Sequence, residues 1–189
     1  MSYTEIYVVK KNGDVEVYAE IINAWRGAMA IWDILEEKHL PPFRPSFVPC
    51  TIPDDEIEEY LTYKPKRARS ININDTKEIW DLASCDHIPF LDKIVLCTTF
   101  DKVIVKKENI QKVIDAFNSF EGQTSLKEQA EILTKILEED EYIGVTWNQT
   151  SVVRGWGKHN EEDEYEHYNI NTNDDHWFLF DELKECNVI

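Results

Sequence analysis

A polar and aromatic segment follows the apolar sequence YIGVTW, and its residues are of the types that bind ligands. Side chains at the ends of strands often line pockets, because the loops there are free to carry functional groups. A turn with capping side chains accounts for the same pattern, so both interpretations stay open. The ligand-binding residues that this segment predicts are Trp147, Asn148, Gln149, Thr150, Arg154 and Trp156.

The next segment alternates histidines with carboxylates, which are ligand types that suit zinc, manganese or iron. Its histidines are spaced H-x7-H-x8-H, which is not HExxH or another established ligand frame. Residues 161–175 contain seven acids and no Lys or Arg, so a solvated acidic loop explains the pattern better than a metal site. The metal ligands that the segment would offer are His159, Asp163, His167 and His176.

Two segments nearer the N-terminus indicate contact with a partner. Residues 39–53 contain five prolines, which exclude regular helix, and two phenylalanines that either face a partner or pin the loop to the body. Residues 64–69 (KPKRAR) place four cations in six positions, without the interleaved aromatic residues of a base-stacking surface. This patch would contact phosphates, the acidic tail or a second subunit. The predicted contact residues are Phe43, Phe47, Lys64, Lys66, Arg67 and Arg69.

The sequence predicts no catalytic residue and no cofactor. GxxxxGK[ST], GxGxxG, GxSxG and kinase signatures do not occur, and the chain has only six glycines. Cys85 and His87 are near neighbours, but no established signature of a cysteine nucleophile surrounds them. The absence of these signatures favours a protein that is not an enzyme and leaves catalysis open as an alternative.

The net charge of −17 limits the classes of partner. An acidic surface repels nucleic acid and anionic membranes, except at a local basic patch, and favours cationic partners. No stretch approaches the eighteen apolar residues of a membrane span, and the N-terminus lacks the features of an export signal. With four cysteines in no local pairing pattern, the expected compartment is the cytoplasm.

Local patterns predict the order of the elements. Tyr3–Lys10, the turn signal Asn12-Gly13 and 15–19 predict a β-hairpin. Three longer helices are expected: one with the apolar stripe Trp25, Ala28, Met29, Trp32 and Leu35, and two more at 110–120 and 126–137. Two short helices are expected at 54–63 and from 74 or 75 to 83. Further strands are expected at 94–99, 102–105, 142–147 and 177–180.

This order predicts an α+β fold, with a mostly antiparallel sheet, an N-terminal β-hairpin and helices packed on one face. The length suits one domain, so residues 1–189 are expected to form a single α+β domain with the acidic loop 158–176 as an appendage.

The segments EIYVVKKNGDVEVYAEIINAWRGAMAIWDILEE, FDKVIVKKENIQKVIDAFNSFEGQTSLKEQAEIL and GVTWNQTSV resemble uncharacterised small proteins of phages and prophages of Gram-positive bacteria. The resemblance covers most of the chain and includes no motif of known chemistry. It implies a bacterial or phage cytoplasmic setting and no particular activity.

The hypothesis that joins these observations is a non-enzymatic binding protein that acts through protein–protein contact, as a phage accessory or host-modulating factor. The alternative is a small-molecule- or metal-binding protein or enzyme that uses residues 147–176. A virion component is a third possibility, tied to self-association as a homo-oligomer. Nucleic acid is expected as a partner only through the patch at 64–69, and a membrane is not expected.

Overall fold

The chain folds around a five-stranded sheet in the computed structural model, which describes residues 3–24, 26–39, 79–149, 156–159 and 165–183. The strands are β1 (Tyr3–Lys10), β2 (Val15–Ile22), β3 (Val103–Lys106), β4 (Tyr142–Asn148), β5 (Gly157–His159), β6 (Tyr165–His167) and β7 (Trp177–Phe178). The order in the main sheet is β2-β1-β4-β3-β7. Its neighbours pair antiparallel, except that β7 runs parallel to β3. Strands β5 and β6 form a separate antiparallel pair.

The described helices lie between β2 and β3, between β3 and β4, and after β7. They are α1 (Ala28–His39), α2 (Phe90–Cys97), α3 (Ile110–Ser119), α4 (Leu126–Glu138) and α5 (Leu179–Glu182), with 3-10 turns at Leu82–Ser84 and Lys107–Asn109. The arrangement is α+β, with a mostly antiparallel sheet and an N-terminal hairpin, which confirms the predicted fold class. None of the described helices is long and apolar enough to cross a membrane.

The two faces of the main sheet have different partners, because side chains alternate along each strand. We call the side covered by helices the inner face; Ile6, Val8, Val105 and Val145 lie there in one large apolar core with residues of α1 to α4. We call the opposite side the outer face; Tyr7, Val9, Val15 and Ile104 lie there beneath Trp156 and Tyr168 in a second, smaller core.

The hairpin turn is fixed by a glycine and by asparagines from the far end of the chain. Gly13 has a φ of +91°, a left-handed conformation that residues with a side chain rarely adopt. The Asn169 side chain donates to Asn12 O at 3.1 Å and to Asp14 Oδ1 at 2.8 Å. The Asn171 side chain donates to Asn12 O at 2.9 Å. The C-terminal segment that contains Tyr168, Asn169 and Asn171 therefore stabilises the predicted hairpin turn and also covers the outer face.

The predicted strand at 94–99 is wrong, because this segment lies in α2 and in the turn that follows it. Residues Asp92–Cys97 are buried one after another. A helix enclosed on several sides shows the same unbroken apolar run as a buried strand, so periodicity cannot separate the two.

The predicted stripe of the first helix is partly wrong. The buried residues of α1 are Ala28, Ile31, Trp32 and Leu35, whereas Met29 is 48% exposed. Trp25 lies outside the described residues. The predicted strand at 177–180 is also shorter than expected, since β7 ends at Phe178 and α5 begins at once.

Candidate functional site

The structure places the predicted ligand-binding residues on opposite sides of the sheet. Trp147 is buried on the inner face, where its ring packs edge-on against Phe117 with centroids 6.1 Å apart. Gln149 is also buried, and its amide donates to Thr98 O and Oγ1 at 3.1 Å. Asn148 and Trp156 lie on the outer side. The residues Thr150 and Arg154 lie outside the described part of the chain.

The residues proposed as metal ligands are only partly described. His176 Nδ1 lies 3.0 Å from the hydroxyl of Tyr168, and the His167 side chain is exposed. His159 contributes its backbone to β5, and Asp163 lies outside the described residues. Among the residues that the structure describes, no three His, Cys, Asp or Glu side chains come together as a metal site. With Asp163 undescribed, a metal site here stays a prediction.

The predicted partner-contact residues are all outside the described ranges; they are Phe43, Phe47, Lys64, Lys66, Arg67 and Arg69. The Cys85 thiol donates to Asp81 O at 3.4 Å, and the neighbouring His87 is exposed. This geometry gives Cys85 a backbone partner within its own turn.

A surface that the sequence did not reveal lies on the outer face of the hairpin. In the pairing of β1 with β2, Tyr3 lies opposite Ile22, Glu5 opposite Glu20, and Tyr7 opposite Val17. Directly opposed residues share one face of a sheet, so these three pairs form consecutive rows. We call the exposed part of these rows the acidic hairpin face; its residues are Tyr3, Glu5, Val17, Glu20 and Ile22.

The carboxylate of Glu5 is held in a fixed position. Its Oε2 atom accepts a hydrogen bond from the Tyr7 hydroxyl at 2.7 Å and another from Asn148 Nδ2 at 2.9 Å. Two donors on one oxygen orient the carboxylate. The arrangement presents two acids together, one of which is already positioned to accept further hydrogen bonds.

Apolar side chains surround this acidic pair and remain in contact with solvent. The exposed fraction is 38% for Tyr3, 48% for Val17 and 54% for Ile22. Trp156 and Tyr168 cover the outer face at Tyr7, Val9, Val15 and Ile104. This cover leaves exposed the residues Tyr3, Val17, Glu20 and Ile22. The face can thus offer both charge and apolar area to a partner.

Strand alternation was the only sequence signal for this face. The segment VEVYAEII has apolar residues on both sides of the strand, which is more than one buried face requires. The pairing of Glu5 with Glu20 depends on the register, which shifts at Tyr18, where β2 carries one extra residue opposite Ile6 and Tyr7. A bulge of this kind is not visible in residue types alone.

Comparison with known proteins identifies no relative of this chain. No family model matches the chain, and no curated protein or solved structure matches it significantly.

Proposed function

We propose that this protein is a non-enzymatic binding protein, and that the acidic hairpin face docks a basic, partly apolar segment of a partner protein. The observation that carries the proposal is the opposed pair Glu5 and Glu20, set among exposed apolar side chains. Like charges directly opposite each other destabilise a sheet, so Glu20 opposes the strand pairing, whereas Glu5 also accepts hydrogen bonds from Tyr7 and Asn148. A cation bound between them would remove the repulsion.

The chemistry of the face defines the partner segment. An Arg or Lys side chain would lie between the two carboxylates, and the Arg guanidinium matches carboxylates best because it forms two parallel hydrogen bonds. Apolar side chains on either side of that cation would cover Val17 and Ile22. The net charge of −17 would accelerate the approach of such a basic partner.

A second copy of the chain is a poor occupant for this face. A twofold dimer would place the same surface against itself, because an isologous interface uses one patch on both subunits. The glutamates of the two copies would then meet without a cation between them. Charge complementarity therefore favours a different, basic partner over self-association through this face.

The resemblance to phage and prophage proteins of Gram-positive bacteria supports a setting in the bacterial cytoplasm, as a phage accessory or host-modulating factor. Under this proposal the partner is a host protein with a basic surface, such as one that contacts nucleic acid. An acidic phage protein would occupy that surface through complementary charge.

The test is capture from a Gram-positive lysate with immobilised wild-type protein and four variants. Glu20→Lys reverses one charge of the pair, and Ile22→Asp removes apolar area. Their matched controls are Glu131→Lys on α4 and Leu91→Asp on α2, both exposed, with Leu91 at 40%. We expect a protein that the wild type and both controls retain and that neither hairpin variant retains.

Salt provides the second measurement. Added salt should release the captured protein from the wild type, because screening weakens contacts between exposed charges. Capture that is the same for Glu20→Lys, Ile22→Asp and the wild type would contradict the proposal, provided that circular dichroism shows all variants folded.

The alternative function is small-molecule or metal binding within residues 147–176. One observation favours a ligand there: the Lys102 ammonium stacks on the rings of Trp156 and Tyr168. This contact lies on a different part of the outer face from the acidic hairpin face.

A further inference from the structure

The turn before β3 places a lysine ammonium against two aromatic rings. Lys102 Nζ lies 4.0 Å from the ring centroid of Tyr168 and 4.6 Å from that of Trp156. The two rings meet edge to face, with centroids 4.9 Å apart and planes at 81°. Each distance is well inside the range in which a cation is attracted to the face of a ring.

The ammonium of Lys102 is held there without hydrogen bonds to the described residues. Burial lowers the pKa of Lys102, although the carboxylates of Asp175 and Asp101 act in the opposite direction. The backbone of Lys102 has a φ of +56°, a left-handed conformation that costs free energy for a residue with a side chain. Lys102 is thus a partly buried lysine on a backbone in the left-handed conformation.

The rings are positioned by contacts that do not involve the Lys102 side chain. The Tyr168 hydroxyl donates to Asp175 Oδ1 and lies 3.0 Å from His176 Nδ1. The indole N–H of Trp156 donates to Trp147 O at 3.3 Å, and Tyr168 N donates to Trp156 O at 2.9 Å. The pair of rings is therefore expected to keep its geometry when the lysine leaves.

We propose that Trp156 and Tyr168, with the Asp175 carboxylate nearby, form a binding site for a methylated ammonium group, and that Lys102 fills this site in the present conformation. We call these three residues the cation site. When the Lys102 side chain swings toward solvent, a quaternary ammonium takes its place on the two rings.

The two ring faces favour one class of ligand, because no described residue accepts a hydrogen bond from Lys102 Nζ. A primary ammonium or a guanidinium loses hydrogen bonds to water that the ring faces do not replace. A methylated ammonium has few or no N–H donors to satisfy, and aromatic sites with a nearby carboxylate recognise such groups. The ligand is a quaternary or methylated amine, either free, as in choline, or on a trimethylated lysine of a protein.

The experiment is a nuclear magnetic resonance titration of the full chain with tetramethylammonium chloride, against sodium chloride at equal ionic strength. The reporter is the indole N–H of Trp156. Lys102→Gly vacates the site and suits the positive φ, and Lys102→Asn is a second variant that also tolerates it. We expect saturable shifts in both variants, with binding about tenfold tighter than in the wild type, where Lys102 competes.

Two further variants separate the cation site from nonspecific binding. Lys106 lies 4.6 Å above a single ring, that of Phe178, and pairs with Asp181 at 2.7 Å. Lys106→Ala is thus the matched control and should bind no tighter than the wild type. In the double variant Lys102→Gly/Asp175→Asn, tetramethylammonium should bind more weakly than in Lys102→Gly.

Choline and a peptide with trimethyllysine form two additional arms, and the tighter ligand identifies the source of the ammonium. The proposal is overturned if Lys102→Gly and Lys102→Asn are folded but show no saturable shift with any of the three ligands. The same conclusion follows if Lys106→Ala gains as much affinity as Lys102→Gly. Lys102 would then act only as a contact that fastens the tail to the sheet.

Discussion

Glu5 and Glu20 lie directly opposite each other on neighbouring antiparallel strands, where like charges oppose the pairing. Replacing Glu20 with Gln should therefore stabilise the protein, by about 0.2–1 kcal/mol, the range of a cross-strand pair. The measurement is urea unfolding at low and at high salt. The gain should shrink as salt screens the repulsion in the wild type.

Glu131→Gln on α4 is the control for this prediction, because it removes the same charge from an exposed helical site. Its effect on the free energy of unfolding should be smaller than that of Glu20→Gln. A loss of stability in Glu20→Gln would mean that Glu20 supports the fold, and the argument for a surface reserved for binding would fail.

A buried hydrogen bond joins α1 to the turn after α2. The indole N–H of Trp32 donates to Thr99 Oγ1 at 2.9 Å, and this hydroxyl donates to Leu96 O at 2.6 Å. Thr99→Val keeps the shape but leaves the indole donor without a partner, so we expect a loss of about 1–3 kcal/mol in the free energy of unfolding. Chemical denaturation measures it.

Thr134→Val is the control, because Thr134 Oγ1 donates only to Ala130 O within the exposed side of α4. Its loss should be within about 0.5 kcal/mol, as for other surface changes. Equal effects of the two substitutions would show that the bond between Trp32 and Thr99 does not anchor α1.

Tyr142 should make the protein sensitive to alkali. Desolvation, followed by the hydrogen bond to Glu141, raises the pKa of Tyr142 to about 12 from its ordinary value of 10.0. Above pH 10.0 the unfolded chain loses the phenolic proton first, so stability is full below that pH and falls as pH rises toward about 12.

Tyr142→Phe should therefore flatten the fall of the free energy of unfolding across this alkaline range. Tyr18, whose hydroxyl donates to Glu139 Oε1 at 2.7 Å, also has a raised pKa, so some slope should remain. An unchanged slope in Tyr142→Phe would show that the hydroxyl titrates alike in both states.

Cys97 should be protected from thiol reagents in the folded protein. Burial raises the pKa of its thiol to about 12, and the thiolate is the reactive form. Cys85, which is only partly buried, is the internal comparison. Iodoacetamide labelling followed by peptide mass mapping should modify Cys85 in native buffer and Cys97 only in denaturant. Labelling of both at equal rates in native buffer would contradict the packing around α2.

Elements with strong local signals could be predicted from the sequence. The hairpin follows from Asn12-Gly13 between two alternating segments, and α3 follows from its apolar spacing. The error at 94–99 arose because α2 is enclosed on several sides, so no polar face marks its period. The local pattern of apolar residues is sufficient to predict an element only where one side of that element is exposed to solvent.

The candidate sites could not be predicted, because both depend on long-range register. A bulge at Tyr18 sets which residues of β2 meet β1 and so brings Glu20 opposite Glu5. The contact of Lys102 with Trp156 and Tyr168 requires the tail to fold back over the outer face. Neither arrangement corresponds to a fixed spacing of residues in the sequence.

The parallel pairing of β7 with β3 has a consequence for synthesis on the ribosome. Val103 of β3 pairs with Trp177 of β7, and β1 pairs with β4. Each of these strand edges therefore stays unpaired until its later partner has been synthesised. A nascent chain can form its N-terminal hairpin early, but β1 lacks its second neighbour until residues 142–148 have emerged, and β3 lacks β7 until residues 177–178 have emerged. We therefore expect the sheet to be completed in two steps, first by β4 and then by β7, with chaperones protecting the unpaired edges in between.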